Sequence, residues 1–87
     1  MTYVRNEFVV AAEIEGSVTL LEPESGLYFG LDSVGARVWE ILSAAHELDA
    51  LTLQLVSEYE VSIDQCREEL QALLQELSQA GLVRVNR

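Results

Sequence analysis

Two side chains in this chain of 87 residues could serve as a nucleophile or a general base: its single cysteine, Cys66, and its single histidine, His46. Nucleophilic catalysis needs such a thiol and base within hydrogen-bond reach of each other. Cys66 falls on the apolar stripe of a predicted helix, where a buried cysteine behaves as a small hydrophobe. His46 follows another predicted helix, where a solvated imidazole beside the negative helix terminus is the simpler interpretation. The sequence therefore predicts no catalytic residue.

Metal, phosphate and acid-base chemistry lack the residues they require. Glu68 and Glu69 are adjacent, so on a helix their carboxylates point in different directions and cannot share a proton or a metal ion. One cysteine can form neither an internal disulfide nor a multi-thiol metal site. Gly30 and Gly35 are not followed by the lysine that a phosphate-binding loop needs. We expect no metal, no cofactor and no enzymatic activity.

The charge and hydropathy of the chain limit the kinds of partner that it can bind. The five basic residues, all arginine, face fifteen acidic ones, which gives a net charge of −10. Such a surface repels phosphate backbones, so we expect no nucleic acid partner. The N-terminus lacks the apolar region of a signal peptide, and no apolar run is long enough to cross a bilayer. We expect a cytoplasmic protein without membrane insertion, folded as a single domain over residues 1–87.

The first part of the chain has the pattern of a β-meander. Apolar runs over Phe8–Ile14, Ser17–Glu22 and Leu27–Leu31 are separated by turn residues. Pro23 fixes one backbone dihedral angle and Gly26 permits a positive φ, so the chain can reverse direction within a few residues. The pattern predicts three antiparallel strands, with Leu31 on the face that packs against the core.

After the third strand the apolar period becomes helical. Asp32 or Ser33 can cap a first helix over Ser33–Ala45, and a second helix follows Asp49 and stops near Tyr59. A third helix begins at a capping box of Ser62 and Gln65 and stops at Gly81. Its apolar stripe consists of Ile63, Cys66, Leu70, Leu73, Leu74 and Leu77. The segment "LVRV" after Gly81 is predicted to be extended.

Three strands followed by three helices predict an α+β fold of winged helix-turn-helix type, with a three-stranded antiparallel sheet. The stretch "LEPESGLYFGLDSVGARVWEIL", together with the later "LLQELSQAGLV", resembles the PqqD-like family, the precursor-peptide recognition elements of ribosomal peptide biosynthesis. The resemblance extends from Phe8 to Val83. Because the domain stands alone, it is most similar to the leader-binding proteins of lasso-peptide clusters.

The resemblance implies a function without chemistry. Members of this family bind the leader segment of a precursor peptide and present it to a separate leader peptidase. A third strand at the sheet edge would receive the leader as an added strand, and Gly30 would allow its backbone to come close. Hydrogen bonds alone give too little affinity, so apolar anchors must contribute, and the resemblance places their pockets between the third strand and the third helix.

The expected leader-binding residues lie on these two elements. They are Leu27, Tyr28, Phe29, Gly30 and Leu31 on the strand, and Cys66, Glu69, Leu70, Leu73, Glu76 and Leu77 on the helix. For the leucines the alternative is a place in the core. For Glu69 and Glu76, expected at the rim for basic leader residues, the alternative is an exposed helix face of little energetic value.

Two other functions remain open from the sequence. A winged-helix shape is also found in DNA-binding regulators and protein-interaction modules. The third helix, which would read the DNA, carries Asp64, Glu68, Glu69 and Glu76 against a single Arg67, so phosphate contact is disfavoured. A plain oligomerisation module is the other alternative, and it predicts self-association through the sheet edge.

Overall fold

The computed structural model describes residues 1–87, which form five strands and three helices. In chain order these are β1 Thr2–Arg5, β2 Val10–Ile14, β3 Ser17–Glu22, β4 Leu27–Leu31, α1 Ser33–Ile41, α2 Leu48–Glu58, α3 Ile63–Gln79 and β5 Val83–Asn86. The strands build two antiparallel sheets, one with the order β2-β3-β4 and one that pairs β1 with β5. The chain is therefore a mixed α+β domain, as predicted.

The predicted meander is present as β2, β3 and β4, joined by two short turns. Glu15 and Gly16 have φ values of 52° and 83°, the conformation of a two-residue type I′ hairpin turn. The second turn ends at Gly26, whose φ of 75° is the positive value predicted from the sequence. Its amide donates to the carbonyl of Glu22 at 2.8 Å and so closes the turn just before β4.

Beside the predicted three-stranded sheet the structure has a second, two-stranded sheet that was not predicted. The segment after Gly81 is extended, as expected, and forms its strand β5, whereas β1 was missed. β1 pairs with β5 from Thr2↔Asn86 to Arg5↔Val83, and this joins the two ends of the chain. The backbones of Tyr3 and His46 also exchange two hydrogen bonds, at 2.8 and 2.9 Å. β1 has only four residues, which is too short a pattern for a strand to be predicted from the local sequence. It forms because it pairs with β5, at the other end of the chain.

The helix ends follow their predictions with two differences, at the end of α1 and at the start of α2. Asp32 caps α1 by accepting from the amide of Gly35 at 2.8 Å, but the helix ends at Ile41 and not at Ala45. The reason is that the following residues turn toward His46, which pairs with β1. α2 begins at Leu48, after Glu47, whereas the sequence predicted a helix that follows Asp49; its end at Glu58 agrees with the predicted stop near Tyr59.

The caps of α3 fix both of its ends. Ser62 accepts from the amide of Gln65 at 3.2 Å, whereas the Gln65 side chain donates to Glu69 and leaves the capping box half formed. Gly81, with a φ of 77°, ends the helix as predicted. The amide of Leu82 then donates to the carbonyl of Leu77 at 2.9 Å, a Schellman arrangement.

The core lies between the meander and the three helices. Its most deeply buried side chains are Leu20 of the sheet, Val38 and Leu42 near α1, Leu51 and Leu55 of α2, Leu74 and Leu77 of α3, and Leu82. Trp39 is also buried. No helix of the structure has both the length and the apolar character needed to span a bilayer.

The junction between β4 and α1 is packed too closely for a side chain at Gly35. A Cβ added there would lie 3.1 Å from the Cβ and Cδ2 atoms of Leu31 and 3.3 Å from Asp32 Oδ1. Leu31 is buried, and its Cβ is fixed to the backbone of β4, so it has little room to move. Gly35 therefore lets α1 start directly behind the strand.

We expect Gly35→Ala to lower the free energy of unfolding by about 1 kcal/mol, because an overpacking cost of ~1–3 kcal/mol exceeds the helix-propensity gain of ~1 kcal/mol. Urea denaturation measures this change. Gly30→Ala is the matched control, since a Cβ at Gly30 meets nothing within 4 Å. Equal stability of the two variants would contradict the close packing described for this junction.

Candidate peptide-binding groove

A groove of about 440 Å³ lies between β4 and α3, where the sequence predicted a binding site. Eight of its thirteen lining residues are hydrophobic. The thirteen lining residues come from one strand, three helices and the residue before α1. They are Phe29, Gly30 and Leu31 of β4, Asp32 before α1, Val34, Gly35 and Val38 of α1, Leu55 of α2, and Cys66, Glu69, Leu70, Leu73 and Glu76 of α3. The groove is thus an apolar channel with an open, partly acidic rim.

Helical spacing brings the α3 residues to one wall. Cys66, Leu70 and Leu73 follow each other at intervals of four and three residues, which places them on one face of the helix. Cys66 and Leu70 are buried and line the bottom of the groove, whereas Leu73 is half-buried at its side. Glu69 and Glu76 flank this row and are exposed. The wall therefore changes from apolar to acidic toward solvent.

Most of the residues predicted for the site line the groove. Eight do so, namely Phe29, Gly30, Leu31, Cys66, Glu69, Leu70, Leu73 and Glu76. Leu27 and Tyr28 lie on β4 outside it, and both are exposed. Leu77 is only 1% exposed and belongs to the core, so its predicted place at the site is corrected to the core alternative.

Five lining residues were not predicted. They are Asp32, just before α1, Val34, Gly35 and Val38 of α1, and Leu55 of α2. The helical period of the sequence identifies the apolar face of α1 but not where that face reaches beyond the core. Val34 does so and is 41% exposed, whereas Val38 and Leu55 are buried beneath the groove. That distinction depends on packing between elements.

The charges at the groove all have one sign. Asp32, Glu69 and Glu76 line it, and no basic residue does. The Asp32 carboxylate accepts from the Gly35 amide, and Glu69 Oε1 accepts from the Gln65 side-chain amide at 3.3 Å. The three carboxylates therefore favour a ligand with basic groups beside its apolar ones.

Neither reactive side chain is arranged for catalysis. Burial, with a further contribution from the charge of Glu69, raises the pKa of the Cys66 thiol and so disfavours the nucleophilic thiolate. His46 lies outside the groove, where its Nδ1 is 2.8 Å from the carbonyl oxygen of Ala44. No group of three His, Cys, Asp or Glu side chains is arranged to hold a metal ion. Cys66 and His46 are therefore not arranged as a nucleophile and its base.

The outer edge of β4 is unpaired and runs beside the groove. β4 pairs only with β3, and Gly30 and Leu31 also line the groove. Because a two-residue turn joins β2 and β3, Ile14 and Ser17 form a hydrogen-bonded pair. From this pair, residues that bond to one neighbouring strand alternate along each strand with residues that bond to the other side. By this alternation Leu27, Phe29 and Leu31 bond to β3. Tyr28 and Gly30 therefore direct their N–H and C=O groups to the free edge.

The turn before β4 is held by a buried carboxylate. Glu22 is 7% exposed, and its side chain accepts from the Ser25 hydroxyl at 2.6 Å, the Ser25 amide at 2.7 Å and the Glu24 amide at 3.2 Å. The hydrogen bonds from the hydroxyl and the amide of Ser25 are the main reason why the pKa of Glu22 lies below its ordinary value of 4.5. The carboxylate thus fixes the position at which β4 begins.

Comparison with known proteins places the chain in a family and finds solved structures of similar fold. Residues 17–83 match the family described as Coenzyme PQQ synthesis protein D (PqqD). The solved structure of TbiB1 in complex with the TbiA(beta) leader peptide has a TM-score of 0.84 and 30% identity, covering 97% of this chain and 98% of that one. A lasso peptide synthetase B1 complexed with the leader peptide has a TM-score of 0.80 and 24% identity, covering 95% and 98%. No curated protein matches by sequence.

An α+β domain with an open sheet edge beside an apolar groove has the architecture of a precursor-peptide recognition element. The match over most of the chain, together with the relative at 30% identity, makes the assignment specific. The chain belongs to the PqqD family. The resemblance read from the sequence is confirmed.

We expect Glu22→Gln to destabilise the protein at neutral pH and to have little effect in acid. Because the folded-state pKa is depressed, the stabilisation is present above the unfolded value of about 4.5 and is lost as pH falls through the folded value. Unfolding free energies at pH 7, 5 and 3 measure this. Glu24→Gln, which removes an exposed charge from the same turn, is the control. A pH-independent difference would contradict the role of the carboxylate.

Proposed function

We propose that this chain binds the leader segment of a ribosomally made precursor peptide and presents it to a separate leader peptidase in the cytoplasm. The leader adds as a strand to the free edge of β4 and inserts side chains into the groove. The observation that carries the proposal is the unpaired edge beside an apolar channel. A relative with 30% identity whose structure contains a leader peptide supports it.

The backbone ladder supplies only part of the affinity. Tyr28 and Gly30 together offer about four hydrogen bonds, each worth ~1 kcal/mol net. Ordering a disordered segment costs ~2–5 kcal/mol, which offsets most of that gain. Micromolar binding needs about −8 kcal/mol. The ladder therefore sets the direction and register of the leader more than its affinity.

Apolar side chains in the groove supply the remainder. A buried aliphatic or aromatic group contributes ~1.5–3 kcal/mol, so about three or four leader side chains would close the gap. Leu73 is the best placed wall residue, because it is half-buried in the free protein and loses its remaining exposure when the groove is filled. Leu70 and Cys66 form the floor of the groove and are already buried in the free protein.

The function needs no catalysis. The protonated thiol of Cys66, the distant His46 and the absence of a reacting group in the groove all favour a binding module. Leader removal accordingly belongs to another protein. This chain contributes proximity, because it holds the leader in one extended conformation for that enzyme.

The winged-helix prediction raised DNA as an alternative ligand, but we do not propose it. α3 exposes Asp64, Glu68, Glu69 and Glu76, and its one arginine, Arg67, bonds to Asp49 at 2.8 Å. Contact between this helix and phosphates would lack the counterion release that drives such binding.

Tyr28→Pro tests strand addition. Proline removes the outward N–H and sets a ring against the incoming strand, while edge strands tolerate proline where the N–H faces solvent. We expect calorimetry with a synthetic leader peptide to show affinity reduced about tenfold or more, with the fold retained. Tyr28→Ala keeps the N–H and is the control.

Phe29→Pro removes an N–H that faces β3 and is expected to lower Tm instead, because it breaks the sheet itself. A folded Tyr28→Pro variant that binds as tightly as Tyr28→Ala would show that the leader does not use this edge.

Glu69→Gln and Glu76→Gln test the acidic rim. Each substitution should weaken binding of a basic leader by about 1.5- to 5-fold at low salt, since exposed ion pairs contribute ~0.2–1 kcal/mol. The difference should disappear in 1 M salt, where charges are screened within about 3 Å. Glu68→Gln removes an exposed charge from the same helix outside the groove. If it weakens binding equally, only net charge matters and the rim has no specific role.

A further inference from the structure

The charges of the chain are divided between the two-stranded sheet and the rest of the molecule. All fifteen acidic residues lie between Glu7 and Glu76, whereas residues 1–6 and 77–87 carry three of the five arginines and no acidic residue. These two end segments pair with each other as β1 and β5. A basic region therefore lies on one side of a chain whose net charge is −10.

The arginines of the helices are paired with carboxylates, whereas those of the two-stranded sheet are not. Arg37 and Arg67, on α1 and α3, form ion pairs with N···O distances of 3.0 Å or less. Arg5 of β1 and Arg84 of β5 form no ion pair. The sheet thus retains positive charge that the protein does not neutralise itself.

Aromatic rings hold the guanidinium groups of Arg5 and Arg84 instead. The Cζ atom of Arg5 lies 5.6 Å from the centroid of the Trp39 ring, and that of Arg84 lies 5.9 Å from the centroid of the Phe8 ring. This attraction acts on the positive charge and requires no hydrogen bond. Arg5 donates once, to the Trp39 carbonyl oxygen at 3.3 Å, and Arg84 donates once, to Asn6 Oδ1 at 3.5 Å. Both keep donors for a carboxylate.

Asn6 joins the two arginines into one surface. Asn6 follows Arg5 in the chain, and its Oδ1 atom accepts from the Phe8 amide at 3.1 Å as well as from Arg84. Val4, Arg5 and Asn6 line a cleft of about 340 Å³, and Phe8 is 65% exposed. We call Val4, Arg5, Asn6, Phe8 and Arg84 the terminal patch. None of them lines the groove.

We propose that the terminal patch binds an extended acidic segment of a partner protein, in which two carboxylates pair with Arg5 and Arg84 and an apolar side chain covers Phe8. Charge complementarity carries the inference, because guanidinium groups without a carboxylate of their own favour one from a partner. The exposed Phe8 ring beside them supplies apolar area to bury. Since the patch is separate from the groove, this binding goes beyond the proposed function and does not depend on it.

The net charge of the chain does not prevent this contact. At physiological ionic strength charges are screened beyond about 8 Å, whereas the molecule measures 35 × 34 × 19 Å along its principal axes. An approaching carboxylate therefore responds mainly to the charges of the patch. Glu7 is the acidic residue closest to it, because Glu7 lines the same cleft, is exposed and forms no ion pair. Its charge opposes an acidic ligand.

Larger polyanions fit the patch less well than a short segment. Duplex DNA carries one charge per ~1.7 Å of its axis, and an anionic bilayer is an extended plane. Either would place further negative charges against Glu7 and the other acidic residues of the chain. A second copy would bring a further net charge of −10. A segment with a few carboxylates avoids these contacts.

A synthetic hexapeptide of aspartate and glutamate with one central leucine is the probe. It is titrated at low salt into the isotope-labelled chain, and NMR chemical shifts identify the residues that it contacts. We expect the largest shifts at the terminal patch and at the indole N–H of Trp39. Hexalysine should instead shift residues at the acidic rim of the groove. Absence of shifts at the patch at millimolar acidic peptide, or equal shifts there with hexalysine, overturns the proposal.

Arg84→Gln tests the patch, and Arg67→Gln is the matched control. Both remove one positive charge from an exposed arginine, but Arg67 lies outside the patch and bonds to Asp49. We expect Arg84→Gln to weaken binding of the acidic peptide about threefold and Arg67→Gln to change it by less than about 1.5-fold. Equal loss in the two variants would show that only net charge matters and overturns the proposal.

Glu7→Gln is a second variant with an effect of opposite sign. Because it removes the like charge from the cleft, it should strengthen binding of the acidic peptide by about 1.5- to 3-fold. Glu68→Gln, which removes an exposed charge from α3 outside the cleft, is its control and should have a smaller effect. Equal affinity of these two variants overturns the proposal, because the peptide then does not lie at this cleft.

The other occupants have measurements of their own. Tighter binding of a short DNA duplex or of phosphatidylglycerol vesicles than of the acidic peptide, lost in Arg84→Gln, overturns the proposal. So does a wild-type dimer in sedimentation that Arg84→Gln dissociates. Calorimetry with a synthetic leader peptide should give the same affinity for Arg84→Gln and wild type, and a reduced affinity would contradict the separation of the patch from the groove.

Discussion

The unpaired edge of β4 is the constraint on which the rest of the structure depends. Exposed N–H and C=O groups on an edge strand invite pairing with any extended chain, and proteins usually block them. Here the strand has only five residues, and Tyr28 and Gly30 alone direct their backbone groups outward. The edge is long enough to orient a peptide but too short to bind one tightly without further contacts.

The position of that edge is fixed at both of its ends. Before the strand, Glu22 binds the backbone of its own turn, and after it Asp32 caps α1 within one residue of Leu31. Gly35 lets the helix pass close behind the strand. Because strand, cap and helix are joined without a flexible linker, the groove is formed before a ligand arrives. Such pre-organisation lowers the ordering cost of binding on the protein side.

The features predictable from the sequence are those with a local physical cause. The positive φ at Gly26 and Gly81 and the caps at Asp32 and Ser62 depend on one turn of chain each, and the structure contains all four. The face of α3 followed from its period. By contrast, β1 exists because it pairs with β5 at the other end of the chain, which no local pattern encodes.

The division of the α3 leucines shows why the site could be predicted only in part. Leu73 and Leu77 belong to the same stripe, but Leu73 is half-buried at the wall of the groove, whereas Leu77 is covered by the core. Periodicity gives the face of a helix, and only the neighbouring elements decide how far along it the face remains accessible.

In the proposed function, three surfaces around β4 divide recognition of the leader between them: the edge, the groove and its acidic rim. The edge would pair with the peptide backbone, which every peptide has, and would therefore fix direction and register without selecting a sequence. The groove would select apolar side chains, and its acidic rim would favour basic neighbours and faster encounter, as expected for a chain of net charge −10. Since no single surface supplies enough free energy by itself, only a peptide that satisfies the edge and the groove together is held. Specificity then comes from the combination, while each contact stays weak enough for the peptide to be released.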